Sequence, residues 1–587
     1  MARSLAPRAA LFVVSTLALT VAALPAAAQT IYPIDRAEIL AGSKFDLKVE
    51  FPGAPAAGAA KVTINGQDAA AVLGKPVAFQ EREDGQGHSA FWVRDAVITK
   101  PGRYTVEATA GDRKASVTWE VFDTQAGGKA KNVILFIGDG LTVAHRTAAR
   151  ILAKGLKEGK YGGELAIDDM PAMALVSTSG MDAVVTDSAN AMSAYTTGHK
   201  SCVNAMGVYC SLSKGNLAHP KVETISEIVK RSRGMAVGVV TNTEIEDATP
   251  AGMVAHTRRR ADYNDIVDMF WAVKPDVIMG GGSPNFLAKS TPGSKRTDDT
   301  DYIKRFEETG WKFVSTRTEL DAAKGAQKLL GLFHTGNLDG ALDRFVLKKG
   351  TVDKFPDQPD LTDQVRAALD VLSKNDKGFV LMVESGRIDK YSHSLDWERA
   401  VYDTIMLDNA VKIAKDFAAP RNDTLIVVVG DHAHGVSIIG TYDDERPGQR
   451  LRDKLGVYEQ SIVPNYPAAN AAGYPDKVDV SRRLAFMFGS YPDWCETGHP
   501  YLSGENVPAV AGPNKDFIAN EAYCNVPGAA RREGNLPQSA PQGVHSADDV
   551  VLTATGPGSE LFRGRIDNTR VFRIMATALG LSPGNGE

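Results

Sequence analysis

From Lys131 onward the chain repeats one pattern, a short unbroken apolar run followed by a longer stretch with helical periodicity. The runs are residues 133–137, 236–240, 277–280, 379–383 and 425–429. Between them, residues 224–231, 361–372 and 397–417 space their apolar side chains at intervals of three and four. A strand that is apolar on successive residues has both faces covered. The pattern therefore predicts an α/β unit, a mixed, mostly parallel sheet with helices packed on both faces. It also says where a site belongs, because such sheets bind ligands just beyond the carboxyl ends of their strands.

The strand ends are chemically alike. Residues 134–138 run into Asp139-Gly140, residues 379–383 into Glu384 with Asp389 and His393 beyond, and residues 425–430 into Asp431-His432. Residues 181–186 read as a fourth run, leading to Asp187-Ser188. One acid at a strand end is ordinarily a cap or a solvated loop residue. Four ends carrying acids and imidazoles are expected to converge. Asp389 and His393 are four apart and share one face of a helical turn. Carboxylates with imidazoles suit zinc, and carboxylate with hydroxyl oxygen suits magnesium. Ser188 opens a helical stretch over 189–195, which leaves two roles open. It is an N-cap, or it is a nucleophile at a helix N-terminus, where an anionic oxygen and a phosphate are favoured. As a nucleophile it needs a base or a metal to activate it.

The rest of the chain sets the context. Residues 1–28 carry Arg3 and Arg8, a 16-residue apolar run over 9–24, and Ala26-Ala27-Ala28 before Gln29. This is the layout of a secretory signal peptide. The absence of an Arg-Arg pair there points to Sec export, hence to a periplasmic or secreted protein. No second apolar run is long enough to span a bilayer, so no membrane span is expected after signal removal. Export permits disulfides, and pairing sequence neighbours, Cys202 with Cys210 and Cys495 with Cys524, is the simplest of three connectivities. Residues 30–123 alternate polar and apolar side chains in short segments, with turns at Asn65-Gly66 and Pro101-Gly102. They predict a small all-β domain of immunoglobulin type with no cluster of His, Cys or carboxylates, serving as an appendage, an adhesive module or an oligomer contact. Residues 124–130 read as a linker and 131–587 as the catalytic unit. Residues 436–544, rich in Pro, Gly, Tyr and Asn, read as an insertion over the site or at an interface. The balance of 66 basic against 71 acidic residues, a net charge of −5, argues against nucleic acid as a dedicated partner.

Taken in order, N-V-I-L-F-I-G-D-G, V-T-D-S-A-N-A-M-S-A-Y-T-T-G around Ser188, D-A-T-P, V-E-S-G-R-I-D-K-Y-S-H, V-V-G-D-H-A-H-G and G-V-H-S-A-D-D-V resemble the motifs of the alkaline phosphatases. The likeness is to the bacterial, metal-dependent type with a serine nucleophile, and it runs from about residue 131 to 580. It implies two zinc ions and one magnesium ion per chain. One zinc would take Asp389, His393 and His545; the second Asp139, Asp431 and His432; magnesium would take Asp139, Thr249 and Glu384. Cobalt is the alternative at the paired sites. Ser188 would form a phosphoserine intermediate, and Arg260 would clamp phosphate oxygens, with Arg258 and Arg259 as substitutes. Asp187, Asp247 and Lys390 would stand beside phosphate and magnesium. His145, His199, His256 and His434 match no ligand position and read as packing or hydrogen-bonding residues. The substrates implied are small phosphate monoesters, and the family admits a homodimer. Two other readings stand beside this one: a diesterase or sulfatase of the same superfamily, and an exported binding protein with an inactive core.

Overall fold

The apolar runs form the middle of a ten-stranded sheet in a computed structural model that describes residues 29–124, 128–498 and 505–582. The expected signal peptide, residues 1–28, lies outside the described residues, as do residues 125–127 of the expected linker. The strand order across the sheet is Lys312–Val314, Leu329–Leu332, Val277–Gly281, Ala236–Glu244, Phe379–Ser385, Asn132–Gly138, Thr424–Gly430, Val550–Thr555, Ala172–Ser177 and Arg563–Asp567. Neighbours are parallel except at Val550–Thr555, which runs antiparallel to both strands beside it.

Side-chain alternation sorts each run between two cores. Val133, Leu135 and Ile137 enter one, under the helices Ser188–Thr197, Ile225–Arg233 and Thr569–Leu579. Ile134 and Phe136 enter the other, under Val143–Lys154, Leu361–Leu372 and Trp397–Ala418. Each such side chain, fully buried, contributes about 1.5–3 kcal/mol. The parallel register aligns the carboxyl ends: Ile137 lies opposite Glu384, Gly138 opposite Gly430, and Thr241 opposite Glu384.

Residues 181–186 are not a strand. The sheet strand in that region is Ala172–Ser177, and bends lead from it to Asp187. Asp182 spends its carboxylate on the Val203 N–H at 3.0 Å, and Val184 is left 73 % exposed, so no ladder forms there.

Before Thr124 the strands make two sheets around one core. One holds Thr30–Tyr32, Lys44–Pro52, His88–Val97 and Ala78–Gln80; the other holds Glu38–Leu40, Arg113–Phe122, Gly102–Ala110, Ala60–Ile64 and Gln67–Asp68. Leu47, Val49, Phe51, Ile64, Val106 and Trp119 fill the space between them. The alternate residues of the same strand, Lys48 and Glu50, are also buried, against the α/β unit. Contrary to the sequence reading, this region does hold a titratable cluster: single ligand atoms of Glu50, Glu83 and His88 lie within 4.8 Å of one another. The alternation that reads as a solvent face is an interface.

Both expected disulfides are formed, Cys202–Cys210 and Cys495–Cys524. Within residues 436–544, Val436–Asp443 pairs with Arg482–Phe488, and Asp493–Glu496 pairs with Ala530–Glu533. No helix among the described residues is long and apolar enough to cross a membrane.

Candidate active site

Three strand ends and one helix N-terminus meet at the carboxyl edge of the sheet. Asp139 follows the strand Asn132–Gly138, and Asp431 and His432 follow Thr424–Gly430. Single donor atoms of these three buried residues lie within 4.8 Å of one another. His432 Nε2 is 3.1 Å from Asp139 Oδ1 and 3.4 Å from Asp431 Oδ2. The Gly140 N–H donates to Asp431 Oδ1 at 3.0 Å. Gly140 has φ 66°, and a Cβ there would fall 2.5 Å from His434 Cδ2, so the turn requires glycine on both counts.

The second group is built on the helix Arg387–His393. Asp389 and His393 sit one turn apart on it, with Nε2 to Oδ1 at 3.3 Å. His545 Nε2 reaches the same oxygen at 3.2 Å. A fourth residue joins them, one the sequence reading set aside. His434 Nε2 lies 2.6 Å from Asp389 Oδ1, brought there by a short pairing of Ala433–His434 with His545–Ser546. His434 is buried, whereas the His393 and His545 side chains are 17 % and 12 % exposed toward the cleft. The D-H-A-H spacing, with two imidazoles on alternate residues, was the signal available. The other three histidines behave as read: His145 bonds Ser392, His199 bonds Tyr209, and His256 pairs with Glu227.

Ser188 is the first residue of the helix Ser188–Thr197, and capping falls to Asp187, whose Oδ1 accepts the Asn190 N–H at 3.3 Å. The serine hydroxyl is thereby left to the site. Its Oγ lies 3.3 Å from Asp139 Oδ1 and 3.2 Å from His432 Nε2. Asp187 Oδ2 takes the Asn204 N–H at 3.1 Å and Arg260 Nη1 at 3.2 Å. The other terminal nitrogen of Arg260 donates to Asp247 Oδ1 at 2.7 Å, and Lys390 Nζ is 2.8 Å from Asp247 Oδ2. Thus Asp187, Arg260, Asp247 and Lys390 form one chain of alternating charge, buried at Asp247 and half-buried at the other three. Arg258 and Arg259 point elsewhere: Arg258 Nη1 donates to the Val203 carbonyl, and Arg259 pairs with Asp262.

Glu384 accepts from Thr241 and, at 3.0 Å, from Thr243. Thr249 Oγ1 is 3.4 Å from Asp139 Oδ2. Burial, with Asp139 close by, pushes the Glu384 carboxyl up to about 8. Burial, again with Asp139, raises Asp431 well above the usual carboxylate range. Burial acts the same way on Asp389 but is outweighed by His393, His434 and His545, which hold it low. Burial on Asp247 is likewise outweighed, by Lys390 and Arg260.

The donor set suits cations. Asp139, Asp431, Glu384 and Asp389 are 0–2 % exposed, and buried carboxylates so close repel one another unless positive charge is shared among them. Asp431 Oδ2 and His432 Nδ1 are buried without a hydrogen-bond partner. Oxygen and imidazole donors in this mixture fit zinc, and the Asp, Glu and Thr oxygens fit magnesium.

Above these groups lies a cleft of about 470 Å³, lined by Ser188, Asn204, Arg260, Lys390, His393 and His545 among others. Arg387 and Glu505, an ion pair, and Gln542 also face it, and the sequence reading named none of them.

Comparison with known proteins agrees with this geometry. Residues 130–581 match the family described as alkaline phosphatase. The tissue-nonspecific alkaline phosphatase of Gallus gallus is 30 % identical over 497 residues, covering 77 % of this chain and 85 % of that protein. The alkaline phosphatase of Escherichia coli (strain K12) is 32 % identical over 402 residues, covering 61 % of this chain and 81 % of its own. Among solved structures, the alkaline phosphatase of Thermus thermophilus superposes with a TM-score of 0.54 at 23 % identity, over 78 % of this chain and 93 % of that one.

Proposed function

The chain belongs to the alkaline phosphatase family and is a phosphomonoesterase, and from that premise we propose that it works through a phosphoserine intermediate at Ser188. The observation that carries this reading is the position of Ser188 Oγ. It touches Asp139 and His432, heads a ten-residue helix, and opens into the same cleft as Arg260.

Asp139, Asp431 and His432 would hold one zinc, Asp389, His393 and His545 a second, and Asp139, Thr249 and Glu384 a magnesium ion. Bound there, the ions supply positive charge that activates the serine hydroxyl and stabilises attacking and leaving oxygens. The protein supplies the rest. Asp187 caps the helix and fixes where Ser188 Oγ points. The helix N-terminus favours an anion beside that oxygen. The Arg260 guanidinium, held at both ends by Asp187 and Asp247, offers its planar fork to two phosphate oxygens at little cost in ordering. Lys390 adds charge from the other side of Asp247. The Oγ–phosphorus bond forms as the ester oxygen departs. Water then displaces Oγ from phosphorus, returning serine and releasing inorganic phosphate.

Residues 30–123 are proposed as an immunoglobulin-like domain, residues 131–587 as the catalytic unit, and residues 436–544 as an insertion over the site. Glu505 and Gln542 in the cleft wall support the last assignment. The signal-like residues 1–28 and the two disulfides support export to the periplasm or beyond.

The test compares an aryl monophosphate, a bis-aryl phosphodiester and an aryl sulfate across pH, with metal content measured on the same sample. The monoester is expected to be fastest, with a phosphorylated Ser188 peptide recovered after an acid quench. A faster diester, or phosphate trapped on another residue, refutes the proposal.

A further inference from the structure

The segment between the helices Ser188–Thr197 and Ile225–Arg233 joins the phosphate end of the cleft to the N-terminal sandwich. Its first half cradles Arg260. Asn204 donates its N–H to Asp187 Oδ2 and accepts the Arg260 N–H at 2.8 Å. Met206 and Thr257 exchange backbone hydrogen bonds at 2.9 Å each way, and the Cys202–Cys210 disulfide closes the loop that carries Asn204.

Just past Cys210 the sandwich takes hold of the chain. Tyr32 OH donates to the Cys210 carbonyl at 2.8 Å, and Glu50 Oε1 accepts the Leu212 N–H at 2.7 Å. Lys48 Nζ donates to Ser213 Oγ at 2.8 Å, and Asp84 accepts the Lys214 N–H at 2.8 Å. Tyr209 and Val222 are members of the sandwich core itself. Lys48 also pairs with Glu50 at 2.7 Å and Glu83 at 2.8 Å, so each of its three protons has an acceptor. Glu83 in turn takes Trp92 Nε1 at 2.8 Å and His88 Nε2 at 3.1 Å. Buried charges tolerate little displacement, because losing one partner leaves another uncompensated. Here some of the partners come from the loop.

We propose that the N-terminal sandwich positions the phosphate-binding arginine, and that Glu50 and Lys48 are positioning residues acting through residues 202–214 on Asn204 and Arg260. The inference rests on Arg260 as the phosphate ligand. It gives the sandwich a part in substrate binding that an appendage or adhesive module lacks. An interface serving stability alone would make a different prediction, because weakening it would lower the thermal midpoint without touching phosphate affinity.

The experiment uses the full chain, loaded with zinc and magnesium, and reads KM and kcat on an aryl monophosphate, the inhibition constant of inorganic phosphate, and the thermal midpoint. Glu50→Gln keeps the shape and removes the charge, and it is expected to raise KM and the phosphate constant together by about tenfold, with kcat held within about twofold. Ser213→Ala, a gentler change, is expected to move both constants about threefold in the same direction, and it carries the test if Glu50→Gln does not fold. Ile64→Ala, which weakens the sandwich core away from the loop, is expected to lower the thermal midpoint and leave both constants alone. In an Arg260→Ala background, Glu50→Gln is expected to add nothing. The proposal is overturned if Glu50→Gln and Ser213→Ala behave like Ile64→Ala. Arg260→Ala leaving the phosphate constant unchanged overturns the role of the arginine itself, and the inference with it.

Discussion

Replacing His434 distinguishes two roles for a fourth residue in the Asp389 group. The His434 imidazole donates to Asp389 Oδ1 at 2.6 Å, and both side chains are buried. A hydrogen bond to a charged acceptor contributes about 1.5–3 kcal/mol. Losing it should weaken binding of the zinc proposed for Asp389, His393 and His545 by about 10- to 150-fold, in the range typical for partners that orient metal ligands. His434→Ala is therefore expected to lose zinc to a competing chelator at a concentration lower by one to two orders of magnitude, with kcat/KM falling in parallel at limiting zinc. His434→Gln keeps an N–H for Asp389 but is a poor zinc ligand, and should retain most of the affinity. Equal chelator midpoints for His434→Ala and the unaltered protein would refute the reasoning. A glutamine variant as defective as the alanine one would make His434 a ligand rather than an orienting partner.

Four further outcomes follow from the site. Ser188→Ala should lower kcat by about a thousandfold while leaving the thermal midpoint and metal content unchanged, read by steady-state rates and calorimetry. Arg260→Lys keeps the charge but loses the fork, so KM for a monoester should rise about tenfold with metal content intact. In metal-free protein the Glu384 carboxyl, pushed up to about 8, is roughly nine-tenths protonated at pH 7. Magnesium binding at pH 7 should then release about one proton from it, and almost none at pH 9.5, measured by calorimetry in buffers of different ionisation enthalpy. Because the folded value lies above the unfolded one, this group's contribution to the stability of metal-free protein declines as pH rises from about 4.5 to about 8 and is level beyond. Glu384→Gln should remove that slope.

The sheet was legible because strands buried on both faces are apolar on consecutive residues and end abruptly. That abruptness exposed Asp139, Glu384 and Asp431 to sequence reading, and helical spacing exposed Asp389 and His393. Residues 181–186 misled because an apolar pair, Val184 and Val185, sits in a surface bend whose Asp182 is committed to Val203. His434 escaped because its role depends on pairing with His545, far along the chain. The Lys48 network escaped for a related reason. Alternation within Lys44–Pro52 correctly separates two faces, but it carries no information about what covers the polar one.

The one antiparallel strand, Val550–Thr555, also sets an order of assembly. A chain crossing the sheet against the rest begins at the edge where the others end, and so His545, just ahead of it, arrives beside Asp389 and His393. That cluster cannot close until His545 and the strand after it, in the last tenth of the polypeptide, have been added and the strand threaded into place between Thr424–Gly430 and Ala172–Ser177. Such long-range closure comes late in folding. If the chain is exported unfolded, as proposed above, a metal at this cluster would be acquired at the destination rather than during synthesis, and the compartment's own metal supply would decide which ion completes the site.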